Sequence, residues 1–86
     1  MQQIVFLEEC TIAKFPAEPS VIKYTSRDRK HTFSANCSFE IKSFTEKNGF
    51  LELIFNRPVN NNYRWYVPKE YVEKVKIIDS RSIICS

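Results

Sequence analysis

Two runs of alternating apolar and polar residues, one on each side of an Asn-Gly pair, place the firmest constraint on this fold. Residues 37–42 and 50–55 alternate with a period of two, the pattern of strands that bury one face. Asn48-Gly49 predicts a tight hairpin between them, because both central residues of a type I′ turn need positive φ. Pro58 and residues 60–62 predict the next turn. Since no helical face is sustained for more than about two turns, the sequence predicts an all-β fold.

Further strands are predicted on both sides of this hairpin. An apolar run at residues 4–7 opens the chain, and residues 63–67 alternate until Pro68 removes an amide donor. Apolar residues between 72 and 78 supply a closing strand. Residues 16–31 are mostly polar and contain two prolines, so we expect a long loop with one short strand at most. The prediction is therefore five to six short strands.

The length of 86 residues suits one small domain over residues 1–86, with residues 79–86 as a tail. A chain this short has to protect its sheet edges, and closure into a barrel is the usual solution. The longest apolar stretch is far shorter than the roughly 20 residues that a membrane-spanning helix needs, so no membrane partner is expected. We therefore predict a small, closed or partly open β-barrel.

Charge and cysteine content favour a cytoplasmic protein. The net charge is +3, and residues 1–3 lack the basic lead-in of a secretory signal. Cys10, Cys37 and Cys85 are widely spaced and odd in number, and His31 is the only histidine, so neither a zinc site nor a complete disulfide framework is predicted. We expect reduced thiols, with Cys10 and Cys37 buried and His31 exposed in a loop.

The sequence shows no catalytic constellation. It has neither a second histidine nor a Gly-rich phosphate loop. Glu8, Glu9 and Glu52 are acidic candidates for hydrolysis, but their expected role is surface charge. We therefore expect neither an enzyme nor a bound cofactor.

The segment that begins at Trp65 carries a motif. Pro68 stops a strand, residues 68–71 fit one turn of 3₁₀ helix, and Tyr71-Val72 closes the motif. This segment resembles the carboxy-terminal signature of SH3 domains, an aromatic or aliphatic pair followed by Pro-x-x-Tyr-Val. Residues 50–67 are similar to bacterial SH3-like domains found beside lysozyme-type glycosidases. The resemblance implies a small SH3-like barrel with a 3₁₀ turn near residues 68–71.

An aromatic surface that contacts a protein or peptide partner is the favoured hypothesis for function. Aromatic-lined surfaces bind extended or polyproline segments readily because such a ligand is already ordered. The candidate residues are Tyr24, Trp65, Tyr66, Pro68 and Tyr71. The alternative is that Trp65 belongs to the core and Tyr71 only holds the 3₁₀ turn in place.

Two other functions stay open. Where SH3 domains carry an acidic run in their first long loop, this chain has Arg27-Asp28-Arg29-Lys30. With Arg64, the basic residues Arg27, Arg29 and Lys30 are candidates for contacting nucleic acid through charge and stacking. The third hypothesis is a homo-oligomeric structural protein, such as a homodimer formed through the C-terminal tail, because Ile77-Ile78 and Ile83-Ile84 are more isoleucines than one closing strand needs.

Overall fold

The computed structural model describes residues 2–79, which form one antiparallel sheet with short helical turns in its connections. The strands are β1 (Gln2–Phe6), β2 (Cys10–Ala13), β3 (Lys30–Phe33), β4 (Cys37–Lys47), β5 (Phe50–Val59), β6 (Asn62–Pro68) and β7 (Val75–Asp79). One short helix, α1 (Pro19–Ile22), and two 3₁₀ turns, Arg27–Arg29 and Lys69–Lys74, complete the elements. The prediction of an all-β fold is confirmed.

The seven strands of residues 2–79 lie in the order β3-β2-β6-β5-β4-β1-β7, so the first and last of these strands are neighbours. β4 links two parts of the sheet, because its first half pairs with β1 and its second half with β5. A register shift between Ile41 and Ser43 marks the change of partner and lets the strand bend. The rings of Phe6 and Phe33 stack at 4.4 Å although their strands are far apart in this order. The sheet therefore curls around a core.

Both predicted turns are present. Asn48 and Gly49 have φ values of 52° and 82°, and they join β4 to β5 through the pair Lys47–Phe50. Asn60 and Asn61 have φ values of 50° and 63° and join β5 to β6. Asparagine tolerates this left-handed region better than most residues do, which explains why the second turn forms without a glycine.

The connection between β2 and β3 is more ordered than the long loop expected for residues 16–31. Pro19 begins helix α1, as prolines often do because the first helical residue needs no amide donor. Ile22 anchors the helix by packing with Ala13 and Ala17 in a small second cluster. β3 then pairs with β2 along its whole length. The sequence underestimates the regular structure of this region because its apolar residues are few. Residues 2–79 form seven strands rather than the five or six predicted.

The 3₁₀ turn predicted at residues 68–71 is present but starts one residue later and runs from Lys69 to Lys74. Pro68 has the extended conformation of the end of β6, with φ −66° and ψ 154°. Val72, predicted to begin the closing strand, lies in the turn with 36% of its surface exposed. Val75 instead begins the closing strand and packs against the core.

Aromatic rings fill the middle of the core. Phe33 contacts the rings of Phe6, Phe39, Phe55 and Trp65 at centroid distances between 4.4 and 5.9 Å. The ring of His31 lies 4.7 Å from that of Phe33. His31 is therefore half-buried, which corrects the expectation of an exposed loop residue, because β3 places its ring beside the core.

The cysteines and isoleucines follow the sequence predictions only in part. Cys10 is buried as predicted, whereas Cys37 at the start of β4 is half-buried. Ile77 packs against the core from β7. Cys85 and the isoleucines of the predicted dimer tail, Ile83 and Ile84, lie outside the described residues. Within the described range, no helix is long and apolar enough to cross a bilayer.

Candidate binding groove

Two of the five residues predicted to form an aromatic surface lie in the core. Trp65 has no exposed surface, and its indole Nε1 donates a hydrogen bond to the carbonyl oxygen of Asn62 at 3.0 Å. Pro68 is also fully buried. Tyr71 packs against the core and has the Lys74 ammonium 4.8 Å from its ring centroid. The surface predicted to run through Trp65, Pro68 and Tyr71 is therefore mostly buried, because Trp65 and Val67 of β6 point inward, Pro68 continues into the core and Tyr71 is half-buried against it.

The remaining aromatic side chains around β6 line a different groove, with a volume of about 440 Å³. Its walls come from the chain that follows β2, from the outer face of β5 and from β6. We call it the tyrosine groove, and it is lined by Lys14, Phe15, Pro16, Ile54, Asn62, Tyr63, Arg64 and Tyr66.

Strand register explains how these side chains meet. Trp65 and Val67 point into the core, so the alternation of β6 turns Arg64 and Tyr66 outward. Tyr66 pairs with Glu52 of β5 and with Ala13, the last residue of β2. The chain after β2 therefore leaves the sheet beside Tyr66 and adds Lys14, Phe15 and Pro16 to the groove.

Tyr63 owes its exposure to an irregularity in the β5–β6 ladder. The register shifts between Ile54 and Val59, and Tyr63 lies opposite this shift. Its side chain is 53% exposed. It is therefore the ring in the groove with the most surface left for contact with a ligand.

A hydrogen bond fixes the ring of Tyr66. Its hydroxyl donates to Oε2 of Glu52 at 2.8 Å, and Nε of Arg64 lies 3.7 Å from the same oxygen. Burial, together with the hydrogen bond and negative charge of Glu52, raises the pKa of Tyr66 above its ordinary value. The phenol therefore stays protonated at neutral pH and is held on one wall of the groove.

Two cationic side chains beside the groove lie close to aromatic rings. The Arg29 guanidinium lies 4.8 Å from the ring centroid of Phe15, and the Lys14 ammonium lies 5.9 Å from that of Trp65. Both distances are in the range of cation–π contacts. The backbone amide of Lys14 also donates to the carbonyl of Arg29 at 3.0 Å, which ties the first 3₁₀ turn to this side of the sheet.

The four basic residues predicted to contact nucleic acid fall into two groups. Arg64 lines the tyrosine groove, and Arg29 lies next to it through Phe15. Arg27 and Lys30 line a second hollow of about 460 Å³ together with His31, Thr32 and Asn60. There the Asn60 side chain donates to the carbonyls of Arg27 and Lys30 at 3.3 and 3.0 Å, which holds the turn and the β5–β6 connection together.

Tyr24 lines neither the tyrosine groove nor the second hollow. It is 84% exposed, and the nearby Lys23 ammonium lies 6.0 Å from its ring. The structure thus separates Tyr24 from the other predicted aromatic residues. It also makes Tyr24 a suitable control for experiments on the groove.

In residues 2–79, no three His, Cys, Asp or Glu side chains are grouped so that they could hold a metal ion. Glu52 is occupied by its contacts with Tyr66 and Arg64. Sequence reasoning named Arg64 and Tyr66 but missed the six other lining residues, Lys14, Phe15, Pro16, Ile54, Asn62 and Tyr63. The alternation of residues 50–55 had already placed Ile54 on the outer face. No family model, curated protein or solved structure matches this chain.

Proposed function

We propose that this protein is a non-enzymatic, SH3-like binding module that holds an extended, acidic segment of a partner protein in the tyrosine groove. The observation that carries the proposal is the grouping of three partly exposed rings with two cationic side chains along one groove. These residues are Phe15, Tyr63, Tyr66, Lys14 and Arg64.

The chemistry of the groove favours a peptide ligand. Tyrosine and phenylalanine offer a large contact area and lose little conformational entropy on binding, which is why they are enriched in recognition surfaces. The volume of about 440 Å³ lies within the usual range of ligand sites. Lys14 and Arg64 flank the rings, and although Glu52 offsets part of the charge of Arg64, the net positive charge favours a ligand that carries carboxylates.

The SH3-like part of the proposal is supported by the order of the strands and by one turn. β1 and β7 lie side by side, and a 3₁₀ turn separates β6 from β7, as the Pro-x-x-Tyr-Val motif implies. Pro68 and Tyr71 of that motif have structural roles here. Since a fold does not define a function, the proposed activity rests on the tyrosine groove.

Peptides selected on the wild-type protein from an unbiased displayed library would test the function. We expect the selected sequences to be rich in Asp and Glu. Replacing Tyr63, an exposed ring, with Ala should weaken the best peptide about tenfold or more, as expected for a contact worth roughly 1.4 kcal/mol. The matched control is Tyr24→Ala, which should leave the affinity unchanged. Equal affinity for wild type and Tyr63→Ala would refute the proposal.

Single-stranded nucleic acid is the second candidate ligand, and it is favoured by the distribution of charge. Residues 10–33 carry five basic and two acidic residues, an excess equal to the net charge of +3 of the whole chain. Basic residues beside aromatic rings are typical of sites that bind single strands. A labelled oligothymidine of about 15 nucleotides would test this candidate. Tight binding that falls steeply between about 50 and 200 mM salt would favour it over a peptide.

A further inference from the structure

The strands β4 and β5 are paired over only part of their length. The pairing runs from Lys47–Phe50 to Ile41–Phe55 and stops there. Before Ile41, β4 follows β1 instead, while β5 continues to Val59. The two strands therefore diverge, and they leave a cleft of about 460 Å³ between residues 38–40 and 55–59.

The floor of this cleft is apolar. Phe39 and Phe55 lie 5.6 Å apart, centroid to centroid, and Val59 completes the lining beside them. Phe39 and Val59 are only partly buried and both pack against the core. An apolar side chain that entered the cleft would therefore contact the edge of the core directly.

One wall of the cleft is an edge of β4. Residues 38–40 pair with β1 on one side through Val5, Ile4 and Gln3. Within residues 2–79, no strand pairs with the opposite side, which faces the cleft. The other wall contains Pro58, which has no amide hydrogen to donate. The β4 wall is therefore the better one for a ladder of backbone hydrogen bonds.

Among residues 2–79, one side-chain hydrogen bond spans the cleft above its apolar floor. The Asn56 side chain donates to Oε2 of Glu40 at 3.3 Å, and this bond is exposed. An exposed hydrogen bond of this length is easily exchanged for water or for another donor. An incoming chain can therefore displace it at low cost.

We propose that this cleft receives one short strand of a partner protein, which pairs with the free edge of β4 and places apolar side chains on the floor formed by Phe39, Phe55 and Val59. Addition of a strand to an exposed sheet edge is a known mode of recognition, in which backbone hydrogen bonds give affinity and alternate side chains give specificity. The site is separate from the tyrosine groove and uses none of its residues.

The probe for this proposal is a capped seven-residue peptide with Val at alternate positions and Thr or Lys between them. The positive charge of its lysines disfavours binding to the tyrosine groove, where Lys14 and Arg64 lie. In amide-resolved NMR spectra we expect chemical-shift changes at residues 37–40 and 55–59. The amide hydrogens of β4 in this range that face the cleft should exchange more slowly in the complex.

Two N-methylated forms of the peptide distinguish strand pairing from simple apolar contact. Successive amides of a strand point to opposite sides, so only one alternate set bonds with β4. Methylating that set should lower the affinity at least tenfold, and methylating the other set should not. Tyr63→Ala should leave the affinity for this peptide unchanged. The failure of the cleft proposal and the failure of the tyrosine-groove proposal therefore give different results. Equal effects of both methylations, shifts confined to the tyrosine groove, or no binding at millimolar peptide would overturn the proposal.

Discussion

Removing the ring of Phe33 should lower the free energy of unfolding more than any other single substitution in the core. Phe33 is 1% exposed and contacts five other aromatic rings. Truncating a buried phenylalanine to alanine costs about 3–5 kcal/mol with the cavity included, and the ring contacts of Phe33 place it in the upper part of that range. We therefore expect Phe33→Ala to cost about 4–5 kcal/mol, near the lower limit of about 4 kcal/mol for the total stability of a domain this size.

Urea denaturation provides the assay, with the fluorescence of the buried Trp65 as the signal. Phe33→Leu keeps most of the volume and should cost about 1–1.5 kcal/mol, so it yields a folded variant if Phe33→Ala does not fold. The matched control is Phe44→Ala, since Phe44 is 40% exposed and should cost at most about 1 kcal/mol. If Phe33→Ala costs no more than Phe44→Ala, the aromatic core as described is wrong.

Three further predictions concern a turn, a thiol and a phenol. Gly49→Ala should lower the free energy of unfolding by about 1 kcal/mol, because φ is +82°, although a Cβ added there would meet no atom within 4 Å; an unchanged midpoint in urea would contradict this. Burial raises the pKa of the Cys10 thiol to about 11. Mass spectrometry at about pH 8 should therefore show slow alkylation of Cys10 in the folded protein and fast alkylation of Cys10 in urea; equal rates would refute it. The pKa of Tyr66 is raised by burial and by Glu52, so the free energy of unfolding should fall as pH rises above about 10, where the unfolded phenol ionises. Tyr66→Phe should reduce that fall. Identical pH profiles for the wild type and Tyr66→Phe would count against the raised pKa of Tyr66.

The hairpins and the inner faces of the strands could be predicted because local rules decide them. Asn48-Gly49 can form a type I′ turn at no steric cost, and the alternation of Leu51, Leu53 and Phe55 leaves one face to bury. The structure agrees at each of these positions. The closing 3₁₀ turn was also predictable, because Pro68 has to end the ladder.

The tyrosine groove could not be predicted because distant residues form it. The pair Ala13–Tyr66 brings the end of β2 against β6, and nothing in the local sequence indicates that contact. For a related reason, the sequence left open whether Trp65 belongs to the binding surface or to the core. Alternation along β6 requires one of two neighbouring aromatic residues to face inward, but the choice depends on Phe33 of β3, which lies against the indole ring at 5.6 Å.

The central claim, that the tyrosine groove is the binding site, is tested most directly by mapping a selected acidic peptide on the whole chain by amide-resolved NMR. The account predicts shift changes concentrated at Lys14, Phe15, Tyr63, Arg64 and Tyr66, with residue 24 unaffected. Shifts that leave these residues unchanged and cluster elsewhere on the sheet would contradict it.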